Sequence, residues 1–325
     1  MTFKFAQRMG RFTMSPSAQT SQRARELRAQ GHDIIALSSG EPDFPTPEHV
    51  VEAAHEAARG GQTKYTTMSG TDALKAAVID KFRRENALEY GRDEIIVSVG
   101  AKQVLFNVFM ATLEQGDEVI VPAPYWISYI QIPRLAGAAT VVVPCSAASG
   151  FKLTADALAS AISPRSRWLV LNSPSNPSGA VYTHDELAAL ADVLRQHPHV
   201  GVVTDDIYEH IVFDGRKFAT MAAVAPDLKD RTLTVNGASK AYAMTGWRIG
   251  YAGGPAELIA QMIKVQSQTT SGPCSVSQAA VVAALEGPQE FVAARSAAFE
   301  SRRDLVLSML TQAVGLSWRR PEGAF

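Results

Sequence analysis

Gly201-Val202-Val203-Thr204-Asp205-Asp206-Ile207-Tyr208 is a short apolar run that stops on two carboxylates. Five other runs share its character: Ile95 to Val99, Glu118 to Val121, Ala139 to Pro144, Trp168 to Leu171 and Leu233 to Val235. Each is bounded by turn residues, and several are apolar throughout, the pattern of strands buried on both faces. Helical patterns lie between most of them, at 102–113, 126–136 and 184–196. The last opens on Thr183 with Glu186 three residues on, a capping box. This alternation predicts an α/β fold, a mostly parallel sheet with helices on both faces. In such sheets ligands sit beyond the carboxyl ends of the strands. A buried carboxylate there needs a partner; Asp205 reads that way, whereas Asp206 also fits an exposed loop.

Working outward, residues 17–30 read as a helix stopped by Gly31, and Ile34-Ile35-Ala36-Leu37 as a short strand. Ser38-Ser39-Gly40-Glu41-Pro42-Asp43-Phe44-Pro45-Thr46-Pro47 is too rich in Gly and Pro to be regular, hence a linker or an active-site loop. At 325 residues, 46% hydrophobic and 19% charged, the chain has material for about two domains and a large core. A net charge of -1 gives no bulk field for nucleic acid or an anionic membrane. Cys145 and Cys274 stand far apart in no metal-like spacing, which favours a reducing compartment, with a disulfide between them left open. Met1 to Arg11 has no apolar core for a secretory signal, and no run approaches the roughly 20 residues that span a bilayer. A cytoplasmic protein, with neither nucleic acid nor membrane as partner and no metal, is the expectation.

Chemistry-bearing residues follow the strands. Gly100-Ala101-Lys102-Gln103 joins a strand to a helix, a geometry whose free N–H groups receive phosphate, although alone it is usually just a tight connection. Trp126, past Pro122-Ala123-Pro124-Tyr125, can stack on a ring or serve the core. Asn172-Ser173-Pro174-Ser175-Asn176-Pro177-Ser178-Gly179 puts two amides among prolines, as turns or as donors to a phenolate. In Ser239-Lys240-Ala241-Tyr242-Ala243-Met244-Thr245-Gly246-Trp247-Arg248-Ile249-Gly250-Tyr251 a lysine among small residues precedes an arginine by eight positions. A desolvated lysine adds to carbonyls, and arginine brings a planar fork to phosphate.

In this order the motifs resemble the aspartate aminotransferase family, the class I/II aminotransferases of fold-type I. The match runs along nearly the whole chain and is nearest the bacterial branch with Gly40-Glu41-Pro42-Asp43-Phe44 near the start and Ala243 to Tyr251 after the lysine. The resemblance implies a seven-stranded sheet, pyridoxal 5'-phosphate as cofactor and a homodimer. It makes Lys240 the Schiff-base lysine and proton shuttle, and Asp205 the partner of the pyridine nitrogen. Asn176 and Tyr208 would donate to the ring phenolate, and Trp126 would stack on the ring. Gly100, Ala101, Lys102, Ser239 and Arg248 would hold the phosphate, Tyr65 would reach the neighbouring subunit's phosphate, and Asn172 would join the cofactor shell. Gly40, Trp126, Asn176 and Lys102 would line the substrate end, Lys102 from the position that meets a distal carboxylate. The implied reaction is a ping-pong aldimine/ketimine transamination of an L-amino acid, aspartate foremost, with a 2-oxo acid, 2-oxoglutarate foremost.

Two departures stand out. Gly237 occupies the place, three before the lysine, where some relatives carry a phosphate-binding hydroxyl, so Ser239 supplies that contact or it is absent. The family's arginine for the substrate α-carboxylate has no counterpart before Phe325, so the chain reads as C-terminally truncated, an incomplete record or a natural shortening. Its expected layout is 1–47 as N-terminal segment and part of a small domain, 48–285 as large cofactor-binding domain, and 286–325 as the start of the C-terminal small domain. Such a truncation would leave apolar helix faces in 291–310 uncovered. Alternatives on the same scaffold are an aminotransferase of aromatic or broad specificity, a β-lyase or decarboxylating relative, a ligand sensor and an inactive fragment.

Overall fold

A computed structural model of the chain describes residues 3–35, 37 and 40–325. Its strands are β1 (Ile95–Ser98), β2 (Glu118–Ala123), β3 (Ala139–Pro144), β4 (Ser166–Asn172), β5 (Gly201–Asp205), β6 (Thr232–Gly237) and β7 (Gly250–Gly253). They form one sheet in the order β1-β7-β6-β5-β4-β2-β3. Every pairing from β6 to β3 is parallel, while β7 runs antiparallel to both β1 and β6. The six apolar runs are thus all strands. The seventh, Gly-Tyr-Ala-Gly, carries no β-branched residue and gave no strand signal of its own.

Both faces of the sheet are covered, which is why its strands are apolar without alternation. Successive residues point to opposite sides: Val203 and Val170 pack with one core cluster, Val202, Leu169 and Leu171 with another. Against the first lie α4 (Ala101–Thr112), α5 (Ser128–Ala136) and α9 (Ala256–Ser267), which contribute Val104, Leu105, Val108, Ile132, Ile259 and Met262. The opposite face is closed by α6 (Ala155–Ala161), α7 (His184–Arg195) and α8 (Met221–Val224), with Leu158, Leu187, Leu190, Leu194 and Met221. A third cluster joins β1 to α2 (Glu48–Arg59), α3 (Asp72–Asn86) and α10 (Ser275–Glu286). Truncating a wholly buried residue such as Leu190 to alanine costs about 2–5 kcal/mol.

Local signals act as read. Thr183 accepts from Glu186 N while the Glu186 carboxylate accepts from Thr183 N, completing the capping box of α7. The helix α1 (Pro16–Ala29) ends beside Gly31 at φ +90°, and none of its residues is buried. The helix expected from 126 begins at Ser128, because Trp126 and Ile127 form the turn that receives it. The strand expected at 34–37 does not form among its described residues: Ile35 and Leu37 are exposed, and no strand lies beside them. Ala36, Ser38 and Ser39 lie outside the described residues.

The last helix, α11 (Glu290–Leu310), buries Val292 and Phe299 and exposes Leu305, Val306 and Met309. Beyond it the chain folds back onto the loops that follow β4 and β5. Gly179 O accepts from Glu322 N and Gly323 N, Ala324 N donates to Ile211 O, and Asp214 binds both Arg303 and Arg320. Phe325 thereby stacks on Phe299, with ring centroids 4.9 Å apart.

Candidate active site

Parallel pairing brings the strand ends into one row. Asn172 of β4 is level with Asp205 of β5, Asp205 lies beside Val235 of β6, and Gly237 of β6 faces Gly250 of β7. The loops leaving these ends carry Asn176, Tyr208, Lys240 and Arg248, so residues far apart in sequence share one edge of the sheet.

Asp205 is buried, and its two oxygens differ. Oδ2 accepts the hydroxyl of Tyr129 at 2.8 Å, whereas Oδ1 has no partner in the protein. Burial pushes its pKa up to about 6, opposed by the Tyr129 hydrogen bond and by the positive charge of Lys240. Burial and the Asp205 charge hold the Tyr129 phenol far above its ordinary value, so it remains a donor. Asn172 Nδ2 donates to Asp205 O at 2.7 Å and its Oδ1 accepts from Asn176 N at 2.7 Å, tying the two strand ends together. Asn176 Nδ2 in turn stands 3.5 Å from the Tyr208 hydroxyl. Burial first, then the nearby Asp205 charge, pushes Tyr208 up to about 12.

Asp206 departs from the exposed-acid alternative. It is buried, its pKa is raised well above the carboxylate range by burial, and the like charges of Glu209 and Asp205 add to the shift. Asp206 N donates to Val235 O of β6, one residue beyond β5, and both acids are taken from water.

Lys240 Nζ donates to Gly40 O at 2.6 Å and lies 5.6 Å from the Tyr208 ring centroid and 5.4 Å from that of Phe325. Burial lowers its pKa, against the opposing charges of Glu41 and Asp205, with Arg248 adding to the lowering. A lysine so poised is more readily the neutral nucleophile. Ser239 beside it is buried. Gly237 is a tightly packed position: an added Cβ would lie 3.0 Å from Ile249 O and 3.1 Å from Gly250 Cα, so a side chain there fits only if that backbone gives way.

The N-terminus of α4 opens on the same edge. Gly100 takes φ +84°, no side chain caps the helix, and a Cβ at Gly100 would stand 2.5 Å from Arg248 Nη2. Arg248, itself left-handed at φ 57°, donates Nη1 to Thr245 O at 2.7 Å. Uncapped N–H groups of Ala101 and Lys102 beside a guanidinium make a cradle for a doubly charged anion. Lys102 Nζ lies 5.0 Å from the Trp126 ring centroid, and partial desolvation, with the like charge of Arg248, lowers its pKa. Trp126 meets Tyr129 edge to face at 5.4 Å. Tyr65 is 97% exposed and makes no contact with these groups.

Three contacts gave no signal in the sequence. Tyr129 reads there as one apolar position of a helix, and Phe325 as a chain end. The pair Lys81 and Glu209, 128 positions apart, is brought together only by the fold.

A poised lysine, a free buried carboxylate oxygen and an anion cradle on one sheet edge define an enzyme that traps a carbonyl compound bearing a phosphate. The chain belongs to the aminotransferase class I and II family, whose profile matches residues 32–325. It is 55% identical to the aspartate aminotransferase of Rhizobium meliloti, whose crystal structure superposes with a TM-score of 0.97 over 100% of this chain and 81% of that one. The aspartate/prephenate aminotransferase of Cereibacter sphaeroides is 53% identical, over 98% of this chain and 79% of its own. The Thermus thermophilus aspartate aminotransferase solved with maleate is 46% identical, with a TM-score of 0.95 over 100% of this chain and 84% of its own. The chain is a pyridoxal-phosphate-dependent aminotransferase that moves an amino group from an amino acid to a 2-oxo acid. The residues present fit that cofactor: the unpartnered Asp205 Oδ1 suits a protonated ring nitrogen, and the uncapped α4 suits its phosphate.

Proposed function

We propose that the chain exchanges amino groups between L-aspartate and 2-oxoglutarate, with Lys240, Asp205 and Tyr208 as its catalytic residues. The observation that carries the assignment is Asp205: a wholly buried carboxylate, held on Oδ2 by Tyr129, whose Oδ1 has no protein partner and which feels the charge of Lys240. When bound, pyridoxal phosphate supplies an electrophilic carbonyl and an electron sink for the substrate Cα–H bond. Lys240 Nζ would anchor it and, once freed by the substrate amine, would be placed to take the proton from the substrate Cα and return it across the shared nitrogen to the carbon that was the cofactor's carbonyl. Asp205 keeps the ring nitrogen protonated, while Asn176 and Tyr208 donate to the ring oxygen. Trp126 covers the ring, and Gly100, Ala101, Lys102, Ser239 and Arg248 hold the phosphate, with Asn172 fixing Asp205 and Asn176.

Aspartate is favoured by Lys102, an ammonium beside Trp126 with its pKa lowered and no carboxylate on it, as a distal carboxylate would find it. Maleate, the dicarboxylate held by the Thermus thermophilus relative, has the matching chemistry. Prephenate enters as a second acceptor on the name of the Cereibacter sphaeroides relative. Residues 48–285 form the cofactor domain in this reading, and 1–47 with 286–325 belong to a smaller one. A homodimer follows from the exposed Tyr65, which would reach the partner's phosphate. No described helix is long and apolar enough to cross a membrane, and we place the enzyme in the cytoplasm.

The test is borohydride reduction of the cofactor-loaded protein, followed by peptide mass analysis. The expected label is on the peptide carrying Lys240, and Lys240→Ala should abolish it and lower turnover by about 10³-fold or more. Retention of a reducible adduct in Lys240→Ala would overturn the anchor. Oxo-acid release without an acceptor would indicate a lyase instead.

A further inference from the structure

Around Glu209, the residue after Tyr208, lies a buried polar cluster that the reaction does not use. Lys81 of α3 is fully buried and ion-paired with Glu209, and its Nζ also donates to Asn86 Oδ1 at 2.7 Å. Glu209 Oε2 accepts from Asn86 Nδ2 at 2.6 Å, and Oε1 accepts from Asn236 Nδ2 at 2.7 Å. Asn236 Oδ1 accepts from Gly237 N at 2.8 Å. Glu85 and His210 close the outer side, with Lys81 3.6 Å from Glu85 and His210 Nε2 2.9 Å from the same carboxylate. Glu85, Glu209 and His210 converge as metal ligands could, but the Lys81 ammonium is bonded among them and already supplies the positive charge.

A buried ion pair is seldom the most stable filling for its volume, since well-packed apolar residues often do as well or better. Its geometry has a different use here. One carboxylate takes donors from Lys81 and Asn86, within and at the end of α3, and from Asn236 near the end of β6. That carboxylate belongs to the residue after Tyr208, and Asn236 lies four residues before Lys240. Glu209 therefore links the segment carrying Asp205 and Tyr208 to the segment carrying Lys240, through side chains that leave no donor unsatisfied. Despite burial, Lys81 holds the Glu209 carboxyl below its usual range, so the link is ionic.

We propose that Glu209, held by Lys81, Asn86 and Asn236, is a positioning residue that fixes Tyr208 relative to Lys240 for transamination. The proposal rests on the assignment of Tyr208 and Lys240 as cofactor-contacting groups. Its variants are Glu209→Gln, which keeps the volume and removes the charge, and the double variant Lys81→Met/Glu209→Leu, which refills the space with apolar side chains.

The experiment titrates the absorbance of the lysine-bound cofactor against pH in loaded wild type and both variants, alongside melting temperature, kcat and KM. A tyrosine displaced from the ring oxygen leaves the lysine-bound nitrogen more basic. The expected result is an upward shift of the midpoint by about one pH unit in both variants, with kcat lowered roughly tenfold and KM little changed. The double variant should melt close to wild type. A wild-type midpoint in variants that bind cofactor, whatever their melting temperature, would mean that the cluster only stabilises the fold and would overturn the proposal alone. A wild type showing no titrating lysine-bound cofactor would overturn both the proposal and the site assignment beneath it.

Discussion

Tyr129 and Asp205, 76 residues apart, share one buried hydrogen bond that leaves half of a carboxylate free. A phenol donor on Oδ2 compensates part of the cost of burial, and the remaining cost is visible as a pKa raised to about 6. The protein without cofactor thus carries a strained acid at the end of its central strand.

That strain sets a pH dependence. The folded pKa of Asp205 lies above its unfolded value of about 3.9, so the native state binds the proton more tightly and stability falls as pH rises from about 4 to about 6. Above that window the loss is constant at about 3 kcal/mol. Asp205→Asn keeps an acceptor for Tyr129 and removes the charge. Cofactor-free Asp205→Asn should melt roughly 5 °C above wild type at pH 7, with the gap closing near pH 4. Calorimetry at the two pH values checks it.

Removing the other partner acts on binding. Without the Tyr129 hydroxyl, Asp205 is harder to ionise and pairs less well with a protonated ring nitrogen. Tyr129→Phe should weaken cofactor affinity about 10- to 100-fold, the worth of one hydrogen bond to a charged group. Fluorescence titration of the cofactor-free protein gives the constant; an unchanged value would show that Tyr129 only fills space.

The anion cradle depends on an approach that only glycine permits. An added methyl at Gly250 would overlap Ala101 N and Gly100 C. Gly250→Ala should therefore displace the start of α4, cost about 1–3 kcal/mol of stability and weaken phosphate binding together. Melting temperature and affinity for pyridoxal phosphate are both expected to drop.

Specificity is expected to follow Lys102. Lys102→Ala should lower kcat/KM for aspartate roughly tenfold relative to an aromatic donor, since the aspartate carboxylate loses its counter-charge and an aromatic ring never used it. An unchanged ratio between the two donors would remove the basis for preferring aspartate.

Six strands, the helices on their two faces and the capping box at Thr183 were legible because each depends on neighbours within a few residues. So was the membership of Lys240, Asp205, Asn176 and Arg248 in one constellation, since strand ends in such a sheet share an edge. The seventh strand was not legible: Gly250–Gly253 is a strand because β1 and β6 flank it, and its glycines serve a close approach to α4 and Tyr90. Ile34, Ile35 and Leu37 went the other way, apolar enough for a strand but with no strand beside them among the described residues.

By itself, then, the sequence determined the local elements and the chemical types gathered at the carboxyl ends of the strands. Tertiary structure alone decided the protonation tendencies and the supporting contacts. Asp206 became a buried acid, Tyr129 a donor to Asp205, Gly237 a tightly packed position, and Lys81 the partner of Glu209. Burial and long-range pairing set those properties, and both depend on which surfaces meet when the chain is folded, a quantity no window of neighbouring residues contains.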